Sequence, residues 1–507
     1  MSLMLPMDEH NKVLMDHVHP ADWKNPTPQE LYDMVVIGAG PAGLITSLIG
    51  AGTGAKVALI ERHLMGGDCL NVGCVPSKCL IASGRSVGAV HDAGRFGVKV
   101  PDGVEVDFAA VMERMRAVRA GISHHDSAER YTEKGIDVFI GSGSFIDDQT
   151  IGVGEAKLKF RKAVITTGNS AARLPIPGLE EVGYLNNETV FQLTELPSCL
   201  AVIGAGPIGC EMAQSFRRFG AEVHLLEVAP QILIREDRDA AEIVERALVN
   251  DGLNLVTGCK VLGMEKDETG KTIQFDTDDE TGQSIQVDEI LLAVGRAPNV
   301  EGLNLGKVGV EWDERTGVKV NDYLQTANSR VFAAGDICFP YKFTHVADAM
   351  AKIVFKNALA SPFGLSRWST KKLIIPWTTY TDPEIAHVGM YEKDAEEVGI
   401  AIDTFTHAIS ETDRGLADGD EEGFVKVHVK KGTGTIVGAT IVAKHAGDLI
   451  SLITTAMVNK LSLGSLGNVI FPYPTQAEAI KRVAGAYNLT TFKPWKQKLV
   501  NFVRKLS

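Results

Sequence analysis

"MVVIGAGPAGLITSLIGAGTGAKVALIE" at residues 34–61 and "LAVIGAGPIGCEMAQSFRRFGAEVHLLE" at residues 200–227 align glycine on glycine at a constant offset. Each reads as an apolar β-branched strand, a G-x-G-x-x-G turn, a helical stretch, a Gly-Ala turn, a second strand and a closing glutamate. The spacing matches what a dinucleotide needs from a βαβ unit. Gly38 and Gly204 make the tight turn, Gly40 and Gly206 let the backbone approach a pyrophosphate, and Gly43 and Gly209 let the helix pack on the strand. The helix N-terminus supplies unpaired N–H groups and the positive end of its dipole. Glu61 and Glu227 stand where a carboxylate accepts hydrogen bonds from ribose hydroxyls. A lone fingerprint is weak; two in full βαβ context, each closed by an acid at the same distance, imply two dinucleotide sites rather than two glycine-rich turns. Glu227 would repel a 2′-phosphate, which favours NADH, while Arg235 and Arg238 downstream keep NADPH as the alternative. The same reading explains the uncharged window from Met34 to Ala55, which has the length of a membrane span but holds six glycines.

The rest of the chain sets the frame. Its 507 residues, 45% hydrophobic and 23% charged, suffice for about three or four domains. A formal net charge of −13 argues against a nucleic-acid surface. Seven cysteines are too few and too odd in number for a disulfide-stapled secreted protein. The first twenty residues lack signal or transit character. A reducing, cytoplasmic setting is expected.

Among the cysteines, "GGDCLNVGCVPSKCL" (66–80) sets Cys69 and Cys74 five positions apart among glycines, with Lys78 following. On a straight helix such positions cannot form a disulfide, so a bonded pair requires a distorted backbone, which Gly73 and Gly66-Gly67 permit. Spacing alone leaves a buried staple, a metal clip and a redox pair open; a zinc clip lacks a second ligand pair at suitable spacing. Cys79, Cys199, Cys210, Cys259 and Cys338 read as small buried residues.

This segment, the two fingerprints, "VITTG" (164–168), "AVGRAPN" (293–299) and "VFAAGD" (331–336) resemble, in order, the class I FAD-dependent pyridine nucleotide-disulfide oxidoreductases, mercuric reductase-like members above all, with dihydrolipoamide dehydrogenase and glutathione reductase as relatives. The resemblance implies an α/β fold: two Rossmann-like dinucleotide-binding domains, for FAD (31–175 and 298–370) and NAD(P) (176–297), plus an α+β C-terminal dimerisation domain (371–490). It assigns the first fingerprint, Thr167, Gly168, Arg296 and Asp336 to the FAD side and the second fingerprint to the nicotinamide. It makes Cys74 the flavin-proximal thiolate, Cys69 the interchange thiol, and Lys78, paired with Glu211, the cation near the flavin. Electrons would run from NAD(P)H through FAD to the disulfide and on to a small disulfide or a thiol-bound metal. No structural metal is expected, Cys69 and Cys74 serving only as transient ligands of a substrate metal.

The chain also departs from the family's better-known members. Where they carry His-Pro-Thr-x-x-Glu, it has "FPYPTQAEA", with Tyr473 at the histidine position and Glu478 keeping the acid. A phenol titrating near 10 is a poor proton shuttle beside an imidazole near 6.5, so turnover of dihydrolipoamide or glutathione disulfide is not expected to be efficient. Thr475-x-x-Glu478 also reads as a capping box. Phe-Pro-Tyr resembles mercuric reductases, but the vicinal C-terminal cysteines and N-terminal Cys-x-x-Cys of resistance-type members are missing. Dihydrolipoamide dehydrogenase is the alternative enzyme; a redox-sensing flavoprotein acting through its tail is the alternative of another class.

At the ends, residues 1–30 read as a polar arm with His17 and His19 on the surface. Residues 491–507 form a basic amphipathic tail, with Trp495, Leu499, Phe502, Val503 and Leu506 on one face and Lys496, Lys498, Arg504 and Lys505 elsewhere. Packing on the protein body is favoured there over a membrane surface. A homodimer is expected, because Tyr473 in this family completes the partner's site.

Overall fold

A computed structural model describes residues 4–268, 270–361, 364–491 and 494–506, with the backbone alone over 494–499. The strand Tyr32–Ile37 lies parallel between Val57–Glu61 and Ala156–Ile165. Ile136–Ile140 and Val331–Ala333 extend the parallel array on either side. These strands are buried along nearly their whole length, as expected of a sheet covered on both faces. After the first strand, Gly38 turns the chain at φ +107; a Cβ there would lie 2.4 Å from the Thr166 carbonyl oxygen, so only glycine fits. The helix Pro41–Gly52 follows, with Pro41 in its first turn, where no N–H is missed. Thus the uncharged window from Met34 to Ala55 is a strand and a short helix. Among the described residues no helix is long and apolar enough to cross a membrane.

The second fingerprint builds a parallel four-stranded sheet from Cys199–Ile203, Glu222–Leu226, Asn254–Val256 and Glu289–Leu292. An antiparallel sheet of Lys260–Asp267, Gly270–Asp276 and Gln283–Val287 covers one face through Met264, Ile273, Phe275 and Val287. The chain leaves the first unit through Asn169–Ala171 and re-enters through Arg296–Pro298; these two short strands pair antiparallel at the crossing. A third unit is a five-stranded antiparallel sheet in the order Pro376–Thr379, Glu384–Gly389, Ile436–Ala443, Phe424–Lys430, Ile402–Ala408. The helices Ala446–Val458 and Glu478–Thr490 pack on it.

Small residues bring the units together. On the helix Cys74–Asp92, a Cβ on Gly84 would sit 3.4 Å from Ser215 Cα of the helix Pro207–Phe219, so the two backbones approach closely. Arg218 of the latter helix then bridges Asp251 (3.0 Å) and Asp382 (2.9 Å). This contact places Lys78 of one helix against Glu211 of the other.

The N-terminal arm is less loose than its composition suggests. Residues Glu9–Val18 form a helix whose Leu14 and Val18, one turn apart, are fully buried in the first unit's core. Asp8 caps it and pairs with Arg116 at 2.5 Å. Pro20, Pro26 and Pro28 keep the chain from continuing the helix after Val18, while His17 and His19 are half-buried at the surface. At the other end Pro494–Leu506 is helical, and Phe502, Val503 and Leu506 are exposed, so the body of this protomer does not cover them as the packing reading expected. The side chains of Trp495, Lys496, Lys498 and Leu499 lie outside the described residues.

Candidate active site

Between its two cysteines the chain breaks one helix and starts another. Gly67–Asn71 carries Cys69, Val72 and Gly73 leave helical geometry, and Cys74 opens the helix Cys74–Asp92. A Cβ on Gly73 would meet the Asp68 carbonyl oxygen at 2.7 Å, so this bend admits no side chain. The turn is braced from behind. Asn71 Nδ2 donates to the carbonyls of Met65 (3.0 Å) and Gly67 (2.9 Å). The buried Arg119 donates to Asn71 O and to Asn11 Oδ1 of the N-terminal helix, both at 2.7 Å. Arg119→Met strands both acceptors and is expected to cost about 2–4 kcal/mol of stability, measured by chemical denaturation.

Both cysteines are free thiols, Cys69 half-buried and Cys74 exposed. Cys74 occupies the first position of a 19-residue helix, where the dipole favours an anion. Its Sγ lies 3.3 Å from Thr344 Oγ1, at the start of the helix Thr344–Ala358. The Cys74 thiol is lowered to about 6, chiefly because the Cys69 thiol donates to it, helped by Thr344 and the Lys78 ammonium and opposed by the dense surroundings of the sulfur. The same hydrogen bond, with burial, pushes Cys69 far up. In the dithiol form Cys74 is therefore the thiolate and Cys69 the proton holder. The thiolate is expected to persist as pH falls and to be lost near pH 6, and Thr344→Ala moves that midpoint toward an ordinary thiol value. Absorbance at the thiolate band through a pH titration measures both.

Lys78 Nζ donates to Glu211 Oε2 at 2.9 Å, and the other carboxylate oxygen of the buried Glu211 accepts from the Tyr380 backbone N–H, also at 2.9 Å. The ammonium sits 4.5 Å from the Tyr380 ring centroid. Burial lowers the Lys78 pKa, but Glu211 and Cys74 outweigh it, so the lysine stays charged.

The two fingerprints repeat one local arrangement. Glu61 accepts from the backbone N–H of Ala39 (2.7 Å) and His63 (2.8 Å); Glu227 accepts from Ala205 (2.6 Å) and Ala229 (2.8 Å). Each carboxylate thus ties the fingerprint turn to the end of the second strand, a role sequence reasoning missed, and keeps further lone pairs for a ligand. Both fingerprint helices begin without a side-chain cap. A Cβ on Gly40 would find its nearest heavy atom 3.9 Å away, and one on Gly206 would find none within 4 Å. Two unobstructed helix N-termini of this kind fit the pyrophosphates of FAD and of a nicotinamide dinucleotide. Arg238 is paired with Glu245 through two bonds of 2.7 and 2.6 Å; Arg235 is exposed.

Other expected residues converge beside the first fingerprint. Asp336 accepts from Asn169 Nδ2 at 3.0 Å, and burial raises its pKa against the pull of Arg296 and Lys342. Arg296 donates to Asn169 Oδ1 at 2.6 Å and pairs with Asp68, the neighbour of Cys69. Thr167 Oγ1 donates to Asn299 O at 2.8 Å, and Gly168 has φ +65.

Within the protomer Tyr473 and Glu478 lie apart from this group. Tyr473 is 70% exposed and its hydroxyl donates to Asp413 Oδ2 at 2.7 Å. Glu478 instead accepts from Arg482 Nη2 at 2.8 Å, one turn along its own helix. The capping box does not form: Ala477 is the N-cap, and Thr475 Oγ1 donates to Pro472 O. Asp413 and Thr344 had no sequence signal, being distant in the chain and outside any recognised motif.

Comparison with known proteins agrees with this architecture. The chain matches the pyridine nucleotide-disulphide oxidoreductase family over residues 32–351 and that family's dimerisation domain over 375–484. It is 35% identical to mercuric reductase of Staphylococcus aureus over 89% of this chain and 82% of that protein. It is 33% identical to dihydrolipoyl dehydrogenase of Thermus scotoductus over 90% and 97%. The HOCl-induced flavoprotein disulfide reductase RclA of Escherichia coli superimposes with a TM-score of 0.78 at 27% identity, over 90% of this chain and 99% of that one. The fold of two dinucleotide units and a dimerisation domain, the duplicated fingerprint and the cysteine turn make this chain a member of the pyridine nucleotide-disulphide oxidoreductases, an NAD(P)H-dependent FAD enzyme with a disulfide redox centre.

Proposed function

We propose that the protein passes electrons from NADH through FAD to the Cys69–Cys74 pair and on to a thiol-bound soft metal ion such as Hg(II), working as a homodimer in the cytoplasm. The observation that carries this reading is the dithiol turn served by a phenol in place of an imidazole at position 473. FAD, when bound, supplies the relay of an electron pair from the nicotinamide to the disulfide. The Gly40 and Gly206 helix starts would hold the two pyrophosphates, and Glu61 and Asp336 would orient the flavin dinucleotide. Lys78, kept charged by Glu211, favours the Cys74 thiolate. Cys69, protonated in the dithiol form, gives up its proton when it meets an acceptor, while the Cys74 thiolate stays beside Thr344 and Lys78.

Tyr473 has its pKa raised by its bond to Asp413, so at neutral pH it is a hydrogen-bond donor and not a base. A dithiol substrate needs a base at that point, whereas a soft metal that binds the Cys74 thiolate and then Cys69 drives the Cys69 proton off to solvent. Relatives called mercuric reductase support this reading, as does a structural neighbour determined as a Cu(II) complex. The exposure of Tyr473 within its protomer supports a role at the partner's cysteines.

An acceptor panel under NADH tests the proposal. Hg(II) presented as a thiol complex is expected to turn over faster than dihydrolipoamide or glutathione disulfide. Tyr473→His is expected to raise dithiol turnover by ~10²-fold or more through its new base. Fast wild-type turnover of dihydrolipoamide, matched to none with the metal, would reverse the assignment. Absence of steady turnover with every acceptor would favour a sensor.

A further inference from the structure

Cys199, Glu222 and His224 meet at the end of the nicotinamide unit's sheet remote from its fingerprint. Cys199 begins the strand Cys199–Ile203, which runs into the Gly204 turn, so the cluster lies at the opposite strand end, about 13 Å along the chain axis. Glu222 is the register partner of Cys199, and His224 lies two residues on along the same strand. The period of two puts all three side chains on one face. That face is the one covered by the antiparallel sheet containing Gln286. The residue across from His224 is Ala201.

One ligand atom from each of the three residues lies within 4.8 Å of the other two. His224 Nε2 and Glu222 Oε1 are 3.3 Å apart. Two ligands each ~2.05 Å from one tetrahedral zinc ion stand ~3.3 Å apart, so this pair already has the required separation. A sulfur bound at ~2.3 Å would lie ~3.5 Å from each of them, within reach of a small side-chain adjustment. Around the triad, Asn254 Nδ2 donates to Glu222 Oε1 at 3.4 Å, Cys199 Sγ lies 3.7 Å from Gln286 O, and the Cys199 backbone N–H donates to Asp288 at 2.8 Å. Burial, Glu222 and Asp288 together raise the Cys199 thiol to about 11. Without a cation the thiol stays protonated, and a divalent ion reverses that.

We propose that Cys199, Glu222 and His224 form a binding site for one borderline divalent cation of the Zn²⁺ class, separate from the redox cysteines. Binding transfers the Cys199 thiol proton to solvent. The thiolate and the Glu222 carboxylate balance the ion's two charges, His224 binds as neutral imidazole, and water or the Gln286 carbonyl fills the fourth position. No electron is exchanged. The site ties together two adjacent strands at the open margin of the covering sheet, where Glu222 is exposed.

The test uses the full-length FAD-loaded protein in its oxidised form, where Cys69 and Cys74 are joined and withheld from the metal. Zn²⁺ is titrated against a chromophoric chelator, and Co²⁺ serves as a spectroscopic probe. The expected result is one ion per chain, a thiolate-to-cobalt charge-transfer band, and a rise in Tm on adding Zn²⁺. Cys199→Ser and His224→Gln should each weaken Zn²⁺ at least ~100-fold, more than loss of an outer-shell contact does, and abolish the Tm response. NADH-driven turnover should stay unchanged in both variants, which confirms that they fold. Absence of stoichiometric Zn²⁺ binding, or binding that survives both substitutions, would overturn the proposal.

Discussion

Cys69→Ser and Cys74→Ser are each expected to reduce NADH-dependent turnover of the physiological acceptor by more than ~10³-fold while leaving FAD bound and NADH-driven reduction of a flavin-reactive dye intact. The split follows from geometry. The fingerprint turns that would hold the dinucleotides are built from Gly38, Gly40 and Gly43 and from their counterparts in the second unit, and neither cysteine belongs to them. Removing either sulfur removes the only route by which an electron pair becomes a dithiol, because no other cysteine belongs to this turn. The two variants differ in one respect. Cys69→Ser keeps a thiolate at Cys74 and puts a hydroxyl donor where the thiol stood, whereas Cys69→Ala removes the hydrogen bond that lowers Cys74 most, so the titration midpoint should rise in the alanine variant. Comparable loss of dye reduction in either variant would show that the cysteines serve structure rather than electron transfer.

The second large effect separates the two dinucleotide sites. A Cβ on Gly43 would sit 1.8 Å from the Gly38 carbonyl oxygen, and one on Gly209 would sit 1.9 Å from the Gly204 carbonyl oxygen. In both cases the obstacle is backbone, so a side chain cannot swing away and the turn itself must shift. Overpacking of this kind costs roughly 1–3 kcal/mol, or about 5- to 150-fold in occupancy of the state that needs the turn intact. Gly43→Ala is expected to purify with little FAD. Gly209→Ala should keep its flavin and show a raised KM for NADH with dye reduction still saturable. The Gly209→Ala protein also guards against a trivial result, since it carries an equivalent clash in the other unit. Full flavin content in Gly43→Ala would contradict the assignment of the first fingerprint to FAD.

The sequence made the duplicated units legible because glycine spacing is dictated by sterics that act within a few residues: Gly38 and Gly43 meet each other. The cysteine turn was readable for the same reason, Gly73 being the only residue its bend accepts. What escaped was assembled across the chain. Thr344 reaches Cys74 from 270 residues away, and Asp68 of the cysteine helix meets Arg296 from a further strand crossing. Tyr473 pairs with Asp413 although Glu478 is nearer in sequence, because Glu478 starts a helix and finds Arg482 one turn on. The N-terminal helix was hidden by its polar composition; two apolar residues at helical spacing suffice to dock it, and Asn11 then helps hold Arg119 beneath the cysteine turn.

The central claim is that Cys74 is the thiolate that faces the flavin, and anaerobic titration with NADH tests it most directly. Wild-type protein should develop a long-wavelength thiolate-to-flavin absorption band at about one equivalent of NADH, fading as pH falls through about 6. The band should be absent from Cys74→Ser. No band in the wild type, or an undiminished band in Cys74→Ser, would contradict the account.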